Sequence, residues 1–285
     1  MDKNIFFICG CMKSGTSWLQ LLLDAHPKIV CRGEGHLCNV FGESLLKAMN
    51  EYNSVLESKN KDVFSEMQGF PLTDRDDFIV IMRLFAERML GKLVKDPNIR
   101  IVGEKTPDNT RYLHVLSDMF PQAKFIHIVR DPRDVAVSGW CHNKRIAPQW
   151  LNEKYGSFSN YALDIARLWE LDITMARKHK DTFPDNFFEV RYEDLLKNID
   201  PVVNKLLKFL DTEHTKKIVA NCIKQSSFET LSKGRKRGTS DESSFFRKGI
   251  AGDWSQYFDK SMRTEFEKIV GKMMQSYGYK TGDPL

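Results

Sequence analysis

The residues best placed to do chemistry cluster near the start of the chain, in IFFICGCMKSGTSW at 5–18. An apolar run, Ile5 to Ile8, leads to Gly10. Lys13, Ser14, Gly15, Thr16 and Ser17 follow, and Trp18-Leu19-Gln20-Leu21-Leu22-Leu23 opens a helical pattern. Strand, tight loop and helix in that order aim backbone N–H groups and the positive end of a helix at one point. Such a loop binds phosphate. Gly10 and Gly15 have the spacing of the G-x-x-x-x-G-K-[ST] loop, but Thr16 stands where its lysine belongs. The lysine lies three positions earlier, at Lys13. The pattern predicts an anionic, phosphate-like ligand and argues against ordinary MgATP chemistry.

A second anion grip is legible in FIHIVRDPRDVAVSGW, 125–140. The strand pattern ends at Arg130, Asp131 can cap a helix, and Pro132 fits its first position. Ser138, eight residues after Arg130, falls about two turns into that helix. Arg130 and Ser138 could hold one anion between them. The plainer alternative for Arg130 is a salt bridge to Asp131 or Asp134. In FFRKGIAGDW, 245–254, Arg247 and Lys248 precede Gly249. A guanidinium fork suits phosphate and glycine lets backbone approach it, although a lone Arg-Lys pair is also an ordinary solvated charge run.

The elements that must position these groups alternate. Strands are predicted at 4–9, 100–103, 124–130 and 187–190, each short and apolar as buried parallel strands are. Helices are predicted over 14–25, 75–94, 108–119, 133–144, 159–180 and 259–276. Segments 53–75, 145–158 and 232–253 read as loops or lids. Strand alternating with helix predicts an α/β fold, one parallel sheet with helices on both faces, in a single domain spanning 1–285.

Composition narrows the class. The 285 residues are 41% hydrophobic and 28% charged, with a formal net charge of +5. That is a globular chain with a mild preference for anionic ligands. No basic tract interleaves with aromatics, so no nucleic-acid partner is expected. Strand-like sequence from Asn4 leaves no room for a secretory leader, and no apolar run reaches membrane-span length. Cysteines at 9, 11, 31, 38, 141 and 222 form no C-x-x-C pair, which predicts reduced thiols in a cytoplasmic protein.

The loop KSGTSW, the segment IVRDPRDVAVSGW, RYEDL at 191–195 and RKGIAGDW occur in this order along nearly the whole chain. Together they resemble the sulfotransferases that use 3′-phosphoadenosine 5′-phosphosulfate (PAPS) and release adenosine 3′,5′-bisphosphate (PAP). The resemblance implies a single α/β domain related to nucleotide kinases. It implies that Lys13, Ser14, Gly15, Thr16, Ser17 and Trp18 bind the 5′-phosphosulfate. Arg130, Ser138, Arg247, Lys248 and Gly249 then bind the 3′-phosphate. Tyr192 of the Y-E-D motif lies near the nucleotide, and Ser226 and Phe228 match the adenine-side segment.

One departure from the cytosolic branch matters. Its Lys-Thr-His segment supplies a catalytic histidine, whereas Lys105-Thr106-Pro107 stands here. The stretch LLLDAHPKIVCRGEGHL, 21–37, instead resembles the tyrosylprotein, heparan-type and some bacterial branches. Their base is a glutamate, matched by Glu34, with His36 close by. Lys105 matches a lysine kept near the sulfate.

Sulfuryl transfer spreads negative charge over the sulfate oxygens and the bridging oxygen, so it needs fixed cations and N–H dipoles. Lys13 and Lys105 can supply the charge, and no metal is expected: neither H-E-x-x-H nor zinc spacing occurs. The acceptor's proton needs a base. Glu34 is the first choice, with His36 and Glu104 as rivals; Glu104 could instead pair with Lys105. His26 reads as a helix-end residue, His127 as a core histidine, and His114 and His179 as surface positions. The acceptor is expected to be a small hydroxylated or amino metabolite. A P-loop nucleotide kinase, or a nucleotide binder without activity, is the alternative.

Overall fold

The computed structural model describes residues 2–282. Five strands form one parallel sheet: β1 (Asn4–Cys9), β2 (Ile29–Gly33), β3 (Ile101–Lys105), β4 (Lys124–Val129) and β5 (Phe187–Arg191). Their spatial order is β2-β3-β1-β4-β5. The helices, in chain order, are α1 (Thr16–Asp24), α2 (Glu43–Asp62), α3 (Arg75–Gly91), α4 (Leu113–Met119), α5 (Pro132–Ile146) and α6 (Pro148–Tyr155). They continue with α7 (Phe158–Thr182), α8 (Tyr192–Lys197), α9 (Ile199–Phe209), α10 (Lys216–Gln225), α11 (Phe228–Leu231) and α12 (Lys260–Ser276). This is the expected single-domain α/β architecture.

Strand β1 shows why both faces of the sheet are covered. Side chains alternate along a strand. Phe6 and Ile8 pack with Leu19 and Leu22 of α1, Val203 and Leu206 of α9 and Cys222 of α10. Phe7 and Cys9 point the other way, into a core with Met82 of α3, Leu116 of α4 and Ala176 of α7. A third cluster joins Val135 and Val137 of α5, Trp169 of α7 and Phe266 of α12. It braces the outer helices that carry the anion-binding segments. All six cysteines are free, five of them buried.

Several expectations need correction. The edge strand β2 is absent from the predicted strands. Segment 53–75 is helical as far as Asp62, at the end of α2, and 145–158 contains α6. Helices α8 to α11 fill a stretch to which no element is assigned above. His179 is not a surface residue: it is 6% exposed and packs edge-on to Phe125. His127 is the expected core histidine, its Nδ1 3.0 Å from Glu189. His26 closes α1, with Nδ1 accepting from the Lys28 amide at 3.0 Å.

Candidate active site

The carboxyl ends of all five strands meet at one place, where a parallel sheet usually binds its ligand. β1 runs into the loop at 10–15, β2 into Glu34, and β3 ends on Lys105. β4 runs into Arg130 and β5 into Tyr192. Because β1 is central, Glu34 and Lys105 lie to one side of the loop, and Arg130 and Tyr192 to the other. A cavity of about 380 Å³ opens there, lined by residues from both sides.

The loop has the shape its glycines predict. Gly10 has φ +144°, and a Cβ there would lie 2.4 Å from the Ile128 carbonyl oxygen. Gly15 has φ +105°, and a Cβ would meet the Tyr192 ring at 2.7 Å. Lys13 itself is left-handed, at φ +65°, a region non-glycine residues seldom adopt. Alternation of hand across such residues makes a concave array of N–H groups suited to an anion. Lys13 Nζ sits 4.7 Å from the centre of the Phe245 ring. Burial, helped by the neighbouring charges of Arg130 and Arg145, lowers its pKa to about 8.

On the β4–β5 side, Arg130 is held by its donors and its stacking. Nη1 donates to the Lys13 carbonyl at 3.1 Å and Nη2 to that of Ile250 at 3.0 Å, with the guanidinium 4.3 Å from the Tyr192 ring centre. Of the two salt bridges foreseen as alternatives, the one with Asp131 belongs to Arg133 instead, at 2.7 Å, whereas Arg130 Nη2 does lie 3.9 Å from Asp134. Arg130 Nε and Ser14 Oγ are buried without a hydrogen-bond partner among the described residues. Unpartnered buried donors at a phosphate-type loop fit an oxyanion ligand.

Arg247 and Lys248 share one carboxylate: Arg247 Nη2 donates to Asp253, and Lys248 Nζ donates to it at 2.6 Å. Asp253 is 2% exposed by side chain, so it fixes both cations from below. The segment is clamped to α5 by Asp134, whose carboxylate accepts from the Gly252 and Trp254 amides at 2.7 and 3.0 Å. Gly249 has φ +67°, and a Cβ would fall 2.3 Å from the Phe228 ring. Trp18, Tyr192 and Phe228 supply flat apolar surface, with Trp18 Nε1 donating to the Ser226 carbonyl at 2.9 Å. Arg237 stacks 5.2 Å from the Trp18 ring.

On the β2–β3 side, Lys105 Nζ donates to Glu34 Oε1 at 2.5 Å. Strand register explains the contact, since Gly33 pairs with Lys105. Glu34 Oε2 is 3.6 Å from His36 Nε2. His36 Nδ1 contacts the Asn39 amide, whose Nδ2 donates to Asp108 at 3.2 Å. Glu104 is committed elsewhere: Thr106, Asn109 and the Gly35 amide donate to it at 2.6, 2.7 and 2.8 Å. It is 3% exposed and outside the cavity, and Lys105 pairs with Glu34 rather than with it.

Of the residues read as binding, Lys13, Gly15, Thr16, Ser17, Trp18, Arg130, Ser138, Tyr192, Ser226, Phe228, Arg247, Lys248 and Gly249 all line the cavity, with Glu34. Ser14 lies beneath the loop, fully buried. Lys105 and His36 reach the site through Glu34. Asp253 and, on α5, His142 line the cavity and are absent from the sequence reading, in which Asp134 figures only as a salt-bridge partner for Arg130 and not as a clamp. Burial, reinforced by Lys13 and Arg145, lowers the pKa of His142 to about 4.

Comparison with known proteins settles the class. The profile of the Sulfotransferase family matches residues 6–216. The chain belongs to the sulfotransferase family. It is an enzyme of sulfuryl transfer, with PAPS as donor, PAP as product, and a hydroxyl or amine as acceptor group. The 3-beta-hydroxysteroid sulfotransferase of Cavia porcellus is 26% identical over 282 residues, 90% of each chain. The amine sulfotransferase of Oryctolagus cuniculus is 24% identical over 176 residues, 56% of this chain and 57% of its own. Among solved structures, mouse sulfotransferase SULT7A1 complexed with PAP superposes with a TM-score of 0.59 at 20% identity, covering 98% of this chain and 89% of its own. No described helix of this sulfotransferase is long and apolar enough to cross a membrane.

Proposed function

We propose that this sulfotransferase acts on a small-molecule acceptor, with Glu34 as the base and Lys13 and Lys105 as the cations that answer the developing charge. The observation that carries this reading is the 2.5 Å pairing of Lys105 Nζ with Glu34 beside the phosphate-type loop. Glu34 is the carboxylate at the cavity that is both exposed and next to a buried lysine. It takes the acceptor's proton as the new oxygen–sulfur or nitrogen–sulfur bond forms and the bond from sulfur to the 5′-phosphate oxygen breaks. Lys13 and Lys105 stabilise charge on the sulfuryl oxygens from fixed positions. Arg130, Ser138, Arg247, Lys248 and Gly249 hold the 3′-phosphate, with Tyr192, Ser226, Phe228 and Trp18 around the adenine ring. Ser14, Gly15, Thr16 and Ser17 cradle the 5′-phosphate.

The two relatives described above are named for a hydroxysteroid and for amines, which supports a small acceptor. Free, mostly buried cysteines support a reducing compartment such as the cytoplasm. The deciding experiment is transfer of labelled sulfate from PAPS, in chelator, to a panel of alcohols, phenols, amines and glycans. Turnover restricted to glycans would overturn the small-molecule reading. Turnover that requires added metal would overturn the lysine-based mechanism.

A further inference from the structure

On helix α5, Ser138, Cys141, His142 and Arg145 recur at helical spacing, and all four line the cavity. Ser138 belongs to the nucleotide end. Seven residues further, Arg145 lies about 10 Å along the helix axis. His142 sits between them, its ring 5.8 Å from Phe245, the side chain that packs under Lys13.

The contact between His142 and Arg145 fixes a protonation state. Arg145 Nη2 is 3.2 Å from His142 Nδ1. A guanidinium only donates, so Nδ1 must carry a lone pair and the ring proton must be on Nε2. His142 is then a neutral donor, in keeping with its lowered pKa. It does not compete with Glu34 for the acceptor's proton. Its electrostatic neighbours are Lys13, Arg145 and Glu34, the groups of the reacting centre.

Arg145 has charge to spare. The carboxylates lining the cavity are engaged by other cations: Glu34 by Lys105, Asp108 by Arg111, Asp253 by Arg247 and Lys248, Glu242 by Arg247 at 3.5 Å. Among the described residues none pairs with Arg145. The cationic end of α5 therefore presents a guanidinium and a neutral N–H donor at the cavity, beside the proposed base. His142 is half-buried and Arg145 exposed.

We propose that His142 and Arg145 bind an anionic group on the acceptor. On this inference, which rests on the small-molecule reading above, the acceptor class is a hydroxyl or amino compound that also carries a carboxylate, sulfate or phosphate.

The test uses acceptors matched except for one charge: 4-hydroxyphenylacetate against tyrosol, and 3-hydroxybutyrate against 1,3-butanediol. Wild type, Arg145→Ala, Arg145→Glu and His142→Phe are assayed for labelled sulfate transfer from PAPS, with PAP affinity measured alongside. The expected result is a preference of about two- to fivefold in kcat/KM for the anionic member, the scale of a charge pair at an exposed site. Arg145→Ala should erase it and Arg145→Glu reverse it, while PAP affinity stays within about twofold. Equal use of both members, preference for the neutral one, or a preference that survives Arg145→Ala would overturn the subsite. So would sulfation of neutral phenols or alcohols with none of the anionic members turned over. If wild type binds PAP but sulfates no small acceptor at all, the small-molecule reading fails first and the subsite falls with it.

Discussion

Lys105 Nζ lies 2.5 Å from Glu34 Oε1, joining the last residue of β3 to the first residue after β2. Only 4% of the lysine side chain is exposed, against 42% of the glutamate's. One partner is therefore a fixed cation and the other a carboxylate open to an incoming acceptor. Gly33 makes the approach possible: a Cβ there would fall 2.7 Å from both Lys105 Cε and its carbonyl oxygen. Carboxylate and cation are thus brought together by the pairing of β2 with β3, so this ion pair is in place before any ligand arrives.

Arg130→Ala should weaken PAP far more than AMP. Its guanidinium is held between the Lys13 and Ile250 carbonyls and the Tyr192 ring, with Nε free for an oxyanion. Loss of a charge-assisted partner to a buried phosphate costs about 1.5–3 kcal/mol, roughly 10–100-fold in affinity. Calorimetric titration with both nucleotides checks it. Equal weakening of PAP and AMP would remove Arg130 from the 3′-phosphate site.

Asp134→Ala should lower PAP affinity without touching the nucleotide. Asp134 anchors the amides of Gly252 and Trp254, and so the segment that carries Arg247 and Lys248. Leaving two amides without their acceptor costs on the order of 1–3 kcal/mol. Part should appear as a lower Tm, and part as faster PAP dissociation. A drop in Tm that PAP at saturation fully restores, with normal affinity, would confine Asp134 to folding.

The pH dependence should carry the signature of Lys13. Its lowered pKa, about 8, means the charged form prevails below that pH and is lost as pH rises through it. In the free enzyme, kcat/KM for PAPS should therefore fall above about pH 8. Lys13→Arg should abolish that limb, because guanidinium stays protonated. Lys13→Ala should lower the rate by about 10²–10³, the scale of one preorganised electrostatic partner. An unchanged alkaline limb in Lys13→Arg assigns the titration to another group.

Much of the site was legible because strand, glycine loop and helix leave local marks. The loop at 10–15, Arg130 at the end of β4 and the Arg247-Lys248-Gly249 turn each announce themselves within a dozen residues. What was illegible is the set of long-range partners. Nothing near Asp134 in sequence says that it holds Gly252, 118 residues away. His142 is different: four residues after Ser138 on the helix predicted over 133–144, it shares that residue's face, so its place at the site was readable by spacing. Helix α2 buries only Met49, so its apolar period is faint, and its second half, from residue 53, reads as loop. Strand β2 is a short edge strand whose last two residues are exposed, so only Ile29, Val30 and Cys31 carry a strand signal. Helix α9 is different: Val202, Val203, Leu206 and Leu207 stand at helical spacing, so its signal was present in the sequence.

Glu34→Gln should fold, bind PAP nearly as well as wild type, and lose most turnover. Glutamine keeps the size of the side chain and a hydrogen bond to Lys105, but cannot accept a proton from the acceptor. General-base loss is worth about 10²–10⁴ in rate. The two rivals behave differently on structural grounds. Glu104 is enclosed by Thr106, Asn109 and Gly35, so Glu104→Gln should act mainly through stability, with a lower Tm. His36 touches Glu34 from outside the cavity, so His36→Asn should reduce the rate less than Glu34→Gln. All three are compared at saturating PAPS across pH 5–10. A near-normal rate in Glu34→Gln, with His36→Asn inactive, would move the base to His36 and leave the sulfotransferase assignment intact.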